Sequence, residues 1–310
     1  MDNLTNKFLK SVPKKYKENK KEPYKPKRFF EIDIIKGISV ILMVIFHFFY
    51  LSHYMDVSYY NVSSGILSWM AKSAHYIFIF IVGVNLAIIN QKYKKMYKEK
   101  YEHFEFSRQL KRALFLIGGG IIMTILSYLG FGENYIKFGI LHFVGVSIIL
   151  SQFFVSSKIM ALVIAIFVLI LNFIFNSGKY SSYFYDKCQE FPFSCFIGGV
   201  KNLRYNSLDH FSMVPFFALL CIGIVFGHTF YKNGNKRVFF DKETDRFGKI
   251  LSYNPFANML SYIGSKSLTI YFIHFIIFYI GFFIYKKHFI HRVNPFESSD
   301  FSNLSNNNFN

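Results

Sequence analysis

The chain has 310 residues, of which 52% are hydrophobic and 17% charged, with a net charge of +18. A soluble chain of this length would fold as one or two domains, but these apolar residues fall in long blocks, which excludes an ordinary soluble globule. The positive charge would suit nucleic acid in a soluble protein. Here it is confined to particular segments between the apolar blocks, so nucleic acid is not an expected partner.

The first segment, Met1–Glu31, carries ten Lys/Arg. It is rich in Lys and, before Arg28, holds three of the seven prolines, which reads as a disordered tail lying on anionic membrane lipid. It is not a cleavable signal peptide, because its first apolar run starts only after about thirty residues and is too long for a signal core. A helix needs roughly 20 mostly apolar residues to cross the hydrocarbon layer. In chain order the stretches that meet this are Ile34–Leu51, Ile66–Asn90, Ala113–Leu129, Phe138–Val155, Ile159–Phe175, Phe211–Tyr231 and Tyr262–Tyr285. The fourth and fifth form a hairpin joined by Ser156, Ser157 and Lys158. None shows the period-2 alternation of a membrane strand. The expected fold is an all-α integral membrane bundle of about seven transmembrane helices. Its expected parts are a basic tail (1–30), a transmembrane domain (31–286) and a polar extracytoplasmic tail (287–310).

Charge orients the bundle. The loop Gln91–Arg112 carries eight Lys/Arg and Lys232–Ser252 carries six, whereas Ser52–Gly65 has none. With an odd number of spans the basic segments share one side with the N-terminus, and the positive-inside rule makes that side cytoplasmic. Gln91–Arg112 also mixes Tyr and Phe with its charges, as an interfacial helix does. The outer loop Asn176–Leu208 is a candidate cap over an outward cavity. It contains Cys188 and Cys195, whose location permits a disulfide that spacing alone does not decide. Cys221, inside a span, reads as packing. No metal-type Cys/His cluster stands out, so no metal is expected. The aromatic share of 21% reads mainly as genome composition.

Polar groups in hydrocarbon are costly, and each needs a reason. Lys158, Lys232 and Lys286 sit at span ends and can snorkel. The others are His47 in the first span, Lys72 and His75 in the second, His142 in the fourth and His274 in the seventh. Helix rise places His47 and His142 in the outer half and His75 and His274 near mid-depth, so four histidines can line one cavity that opens outward. Histidine suits such a place because it takes and gives a proton near neutral pH. The plainer reading of any one of them, His75 above all, is an interhelical hydrogen bond. Asp33 and Lys36, three apart at the cytoplasmic mouth, can pair on one helix face, or Lys36 can offer its charge to an anionic cytosolic ligand. Asp209 opens the sixth span and can cap it or orient a histidine. Gly118, Gly119 and Gly120 allow close packing of the third span or leave room for a slender chain.

Five segments, in order, carry a family resemblance: EIDIIKGISVILMVIFHFF (Glu31–Phe49), FIFIVGVNLAI (Phe78–Ile88), FGILHFVGVSIIL (Phe138–Leu150), DHFSMVPFFALLCIGIVFG (Asp209–Gly227) and IGSKSLTIYFIHF (Ile263–Phe275). Together they resemble the heparan-alpha-glucosaminide N-acetyltransferase catalytic-domain family in its small prokaryotic form, and more distantly the membrane acyltransferases of cell-surface sugars. The resemblance implies acetyl transfer from cytosolic acetyl-CoA to an amine or hydroxyl of an extracytoplasmic sugar or glycan, at the cell membrane. It implies His47 as the general base or acetyl carrier, with His274 and His142 next. Lys36, with Asp33, is the implied contact for the phosphates of CoA, and Asp209, Lys72 and His75 are the implied acceptor contacts. Dimers are common among such relatives, so a homodimer is admissible. This chain departs from the family pattern in three places. Lys36 stands where Arg is usual, Ser58 stands at the distance of the animal enzyme's histidine with His53 nearby, and His274 is followed by Phe275 and Ile276 rather than Gln-Pro. The readings from other classes are a transporter of a small solute or lipid and a non-catalytic envelope assembly protein. Ion-coupled transport would favour acidic residues deep in the spans, and none is found there.

Overall fold

A computed structural model of the chain describes residues 29–97, 101–177, 194–197, 209–231, 254–285 and 288. The basic tail, the C-terminal tail, most of the outer loop including Cys188, and the loop before residue 254 lie outside the described residues, and with Cys188 the possible Cys188–Cys195 disulfide does too. Those described form helices and no strand: α1 (Phe30–Tyr54), α2 (Gly65–Tyr97), α3 (Tyr101–Phe131), α4 (Ile140–Ser151), α5 (Lys158–Phe175), the short α6 (Ser194–Ile197), α7 (Met213–Phe230), α8 (Pro255–Ser265) and α9 (Ser267–Tyr285).

Among them α1, α2, α3, α5, α7 and α9 are long and apolar enough to cross a membrane. The fourth expected span is different. Only the 12 residues of α4 are helical, about 18 Å of rise, which falls short of a hydrocarbon layer of about 30 Å. Two thirds of its residues are buried, so α4 crosses inside the bundle, and residues 152–157 complete the passage to the opposite end, where the His228 ring of α7 meets the Val155 carbonyl at 2.7 Å. Two other expectations shift. The loop Gln91–Arg112 supplies no separate interfacial helix; its residues prolong α2 and begin α3. The seventh span is two helices meeting at Lys266, whose amide turns back to the carbonyls of Tyr262 and Ile263. Local caps explain the starts of α5 and α8. Ser157 Oγ accepts from the Met160 amide, while Asn254 Oδ1 accepts from Phe256 and Ala257 with Pro255 at the first helical position.

The helices alternate in direction. At one end Phe29, before α1, packs edge-on against Tyr231, after α7, and carries Lys92 of α2 over its ring at 4.4 Å. At the other end Tyr54 of α1 meets Phe131 of α3, which meets Tyr279 of α9. The basic residues of α2 and α3 lie at the first end, which the positive-inside rule assigns to the cytoplasm. The core is centred on α4, with Phe143 and Ile148 packed among Ile79, Leu86, Leu220 and Ile224, all almost fully buried.

Two crossings bring backbones together. On α2 and α7, a Cβ at Gly83 would overlap the Leu220 carbonyl, and one at Gly223 would overlap the Phe80 carbonyl. Gly223 and Gly227 are spaced as in the small-xxx-small pattern of close membrane helix pairs. On α1 and α8, Gly37 and Gly264 take the same part against Leu260 and Asp33. The glycine run of α3 is also a packing device. Gly119 faces the Phe272 ring and Gly120 faces the His142 ring, so side chains fill the room these two leave, while Gly118 meets nothing.

Candidate functional site

Because Gly37 and Gly264 dock α1 against α8, the continuing helix α9 runs up beside α1. Ten residues further along each chain, the two helices bring His47 and His274 together, with His274 Nε2 3.3 Å from His47 Nδ1 and ring centroids 5.1 Å apart. The direction of this hydrogen bond follows from the other contacts. His274 Nδ1–H donates to the Ile270 carbonyl one turn below, at 2.8 Å. A neutral imidazole carries one N–H, so His274 Nε2 is an acceptor and the hydrogen comes from His47 Nδ1. His47 Nε2 is then left with its lone pair, which is the tautomer a general base requires.

The pair borders a cavity whose other lining residues are Tyr50, Met123, Ile136, Asp209, Tyr271 and Phe275. Asp209 enters it from the segment before α7. The Phe211 amide donates to the Phe138 carbonyl at 2.9 Å, which aligns this segment with the start of α4. Asp209 Oδ2 then accepts from the Ile140 amide at 3.2 Å, and the Tyr271 hydroxyl donates to the same carboxylate. A Cβ on Gly139 would press to 2.8 Å from Oδ2, so the approach depends on that glycine. Asp209 therefore caps α4 rather than the sixth span, as expected from sequence; Ser212 precedes α7 and makes no side-chain cap. Burial pushes the Asp209 carboxyl up to about 6, and the bonds from Ile140 and Tyr271 pull against that rise.

The four histidines do not share one cavity. His75, edge-on to Phe211 at 4.7 Å, lines a second cavity with Ser39, Val40, Met43, Ala74, Phe78, Ile140, Ser267 and Tyr271. His142 lines neither; its ring stacks on Phe138 and against Gly120, and among the described residues its Nδ1 has no hydrogen-bond partner. Lys72 is exposed, two turns from the outer end of α2, and borders neither cavity. Asp33 and Lys36 pair at 3.4 Å at the cytoplasmic end, as their spacing suggests. Nearby, the Tyr231 hydroxyl donates to Glu31 Oε1 at 3.3 Å.

Tyr50 and Tyr271 are site residues that sequence reasoning passed over. A signal existed. Tyr50 follows His47 by three and Tyr271 precedes His274 by three, so each shares a helix face with a histidine. In a chain with 22 Tyr and 41 Phe, aromatic residues alone do not draw the eye.

The model for the family described as "Heparan-alpha-glucosaminide N-acetyltransferase, catalytic" matches residues 28–276. No curated protein and no solved structure matches the chain. The family match takes in α1 to α8 and the part of α9 that carries His274. The chain belongs to the heparan-alpha-glucosaminide N-acetyltransferase catalytic family and is a multi-pass membrane acetyltransferase.

Proposed function

We propose that the protein transfers acetyl from cytosolic acetyl-CoA to an amine or hydroxyl of an extracytoplasmic sugar or glycan, at the cell membrane, with His47 as the general base. The observation that carries this reading is the 3.3 Å His47–His274 contact, oriented so that His47 Nε2 keeps its lone pair. His47 Nε2 takes the proton as the acceptor nitrogen or oxygen bonds to the acetyl carbon. The C–S bond breaks and the thiol leaves with a proton that His47 returns. His274 acts through His47: its Nε2 lone pair holds the Nδ1–H and supports the charge when the ring is protonated. Asp209 and Tyr271 supply the polar wall on which an acceptor's hydroxyls can be held.

The second cavity suits the donor's arm. Its lining is mostly apolar, with the hydroxyls of Ser39 and Ser267, and it lies toward the cytoplasmic side of the histidine pair along α1 and α9. Its space is close to filled by its own lining, so an alkyl chain interrupted by amides enters it only as the side chains of α1, α2 and α9 part. Acetyl-CoA brings an activated thioester, which supplies the leaving group. At the cytoplasmic end Lys36 is a point charge within reach of an anionic ligand. It offers less directional hold on phosphate than an Arg at that position. His142, outside both cavities, is proposed only as a proton carrier between the site and the outer loop.

The test is acetyl transfer by the purified protein in sealed, oriented vesicles, with labelled acetyl-CoA at the cytoplasmic face and glucosamine with a panel of glycans at the other. The expected result is label on a far-side acceptor. Absence of both labelled product and acetyl-CoA binding would refute the reading and favour transport or assembly.

A further inference from the structure

The outer cavity with the histidine pair and the inner cavity beneath it have one lining residue in common, Tyr271. Everything else divides. His47, Tyr50, Asp209 and His274 face one side, while Ser39, His75 and Ser267 face the other. The Tyr271 side chain is also fixed at its far end. Its hydroxyl donates to Asp209, and Asp209 is itself held by the Ile140 amide at the start of the buried helix α4. Ile140 borders the inner cavity too, so the bond that anchors Asp209 ties the partition to the wall below it.

The geometry points to Tyr271 as a specificity-determining partition, a phenol wall pinned by Asp209 that separates the two cavities, keeps cytoplasmic water and solutes from His47 while no donor is bound, and is displaced only by the acyl end of a bound donor arm. Naming the two sides donor and acceptor rests on the proposed acetyl transfer; the partition itself rests on the cavities alone. Its chemical consequence is a choice of nucleophile. A base beside a thioester activates any water that reaches it, so excluding water from one side favours the sugar over hydrolysis. The ring and the hydroxyl have separable parts. The ring fills the boundary, and the hydroxyl bond to Asp209 fixes its position.

The experiment uses the full chain in sealed vesicles with His47→Cys as a reporter and a small membrane-impermeant thiol reagent applied to one face at a time. Background from the native cysteines is subtracted using the chain without the reporter. With Tyr271 present, the reporter is expected to react from the cytoplasmic face at least about tenfold more slowly than from the outer face. Tyr271→Ala is expected to raise the cytoplasmic-face rate about tenfold, Tyr271→Phe to change it little, and Tyr271→Val, the second opening variant, to follow Ala. Equal rates from the two faces with Tyr271 in place would overturn the proposal without any variant. So would a cytoplasmic rate that neither Ala nor Val alters in protein that elutes as a single folded species. In the reporter-free chain, Tyr271→Ala should also raise acetyl-CoA hydrolysis relative to transfer. If the unaltered protein transfers no acetyl, the proposed function fails, and the accessibility rates still decide the partition.

Discussion

The α2–α7 crossing and the α1–α9 crossing are both close helix contacts inside the same bundle, and they are built from opposite materials. At the first, Gly83 and Gly223 lay backbone on backbone, and the surroundings are Ile79, Leu86, Leu220 and Ile224. At the second, two imidazoles meet, with a carboxylate and two phenols around them. Hydrocarbon does not drive helices together, so a membrane bundle holds itself by close packing, and small residues achieve that without polar groups. Polar groups at a crossing carry a desolvation cost that packing does not require. The difference separates the part of the molecule that holds the fold from the part that performs chemistry. The two are linked, because the Gly37–Gly264 docking of α1 on α8 sets the register that brings His274 to His47.

The largest effect should come from breaking the polar crossing at its base. His47→Ala is expected to lower acetyl transfer by about 10²- to 10⁴-fold, the usual worth of a positioned general base. Elution and thermal unfolding should stay close to those of the unaltered protein, because His47 is only partly buried. Next is the apolar crossing. Gly223→Leu forces a side chain into the Phe80 carbonyl, and overpacking of this kind should cost about 3 kcal/mol or more, read as a lowered unfolding temperature in detergent. A variant that unfolds normally would show that α2 and α7 can separate at little cost, and the contrast between the crossings would fall.

A smaller effect is expected at Asp209. Its carboxyl is raised to about 6 in the folded chain, above its ordinary range near 4, so the folded state binds the proton more tightly than the unfolded one. The associated stability is fully present below about pH 4 and is lost as pH rises through about 6. Asp209→Asn, which keeps an acceptor for the Ile140 amide, should remove that slope, a difference on the order of 2 kcal/mol between the two proteins across this window. Parallel pH curves would contradict it. The smallest effect is at Lys36. Its pair with Asp33 is partly exposed, so Lys36→Ala should change stability by less than about 1 kcal/mol while weakening any phosphate contact at the cytoplasmic mouth.

Hydropathy made most of the bundle legible, because α1, α2, α3, α5 and α7 are long runs whose only requirement is to match the thickness of the layer. It failed where that requirement is absent. Helix α4 crosses inside the bundle with only 12 helical residues, and composition alone does not tell a short buried crossing from a full-length one. The charged residues 91–112 look like a loop, yet α2 and α3 extend into them because a helix does not need to stop at the edge of the hydrocarbon. At the site, His47 and His274 were legible as polar residues in apolar runs, and helix rise gave approximate depth. Rise does not give azimuth. That is why His142 and His75 were grouped with them, although their rings lie elsewhere. Asp209 was visible, but its partner across the chain was not, since the pairing with Ile140 depends on the bridge between Phe211 and Phe138. Tyr271 lies within the family segment Ile263–Phe275, but its significance comes from standing between two cavities, a relation no single helix encodes.

The central claim is that His47 and His274 act as one unit, with the second residue working through the first. A double-variant cycle on acetyl transfer tests it most directly, using His47→Ala, His274→Ala and the two together in the same vesicles. The account predicts that the double variant is about as slow as His47→Ala alone, since His274 has nothing to hold once His47 is gone. Fully additive losses would contradict it and would assign the two histidines independent parts in the reaction.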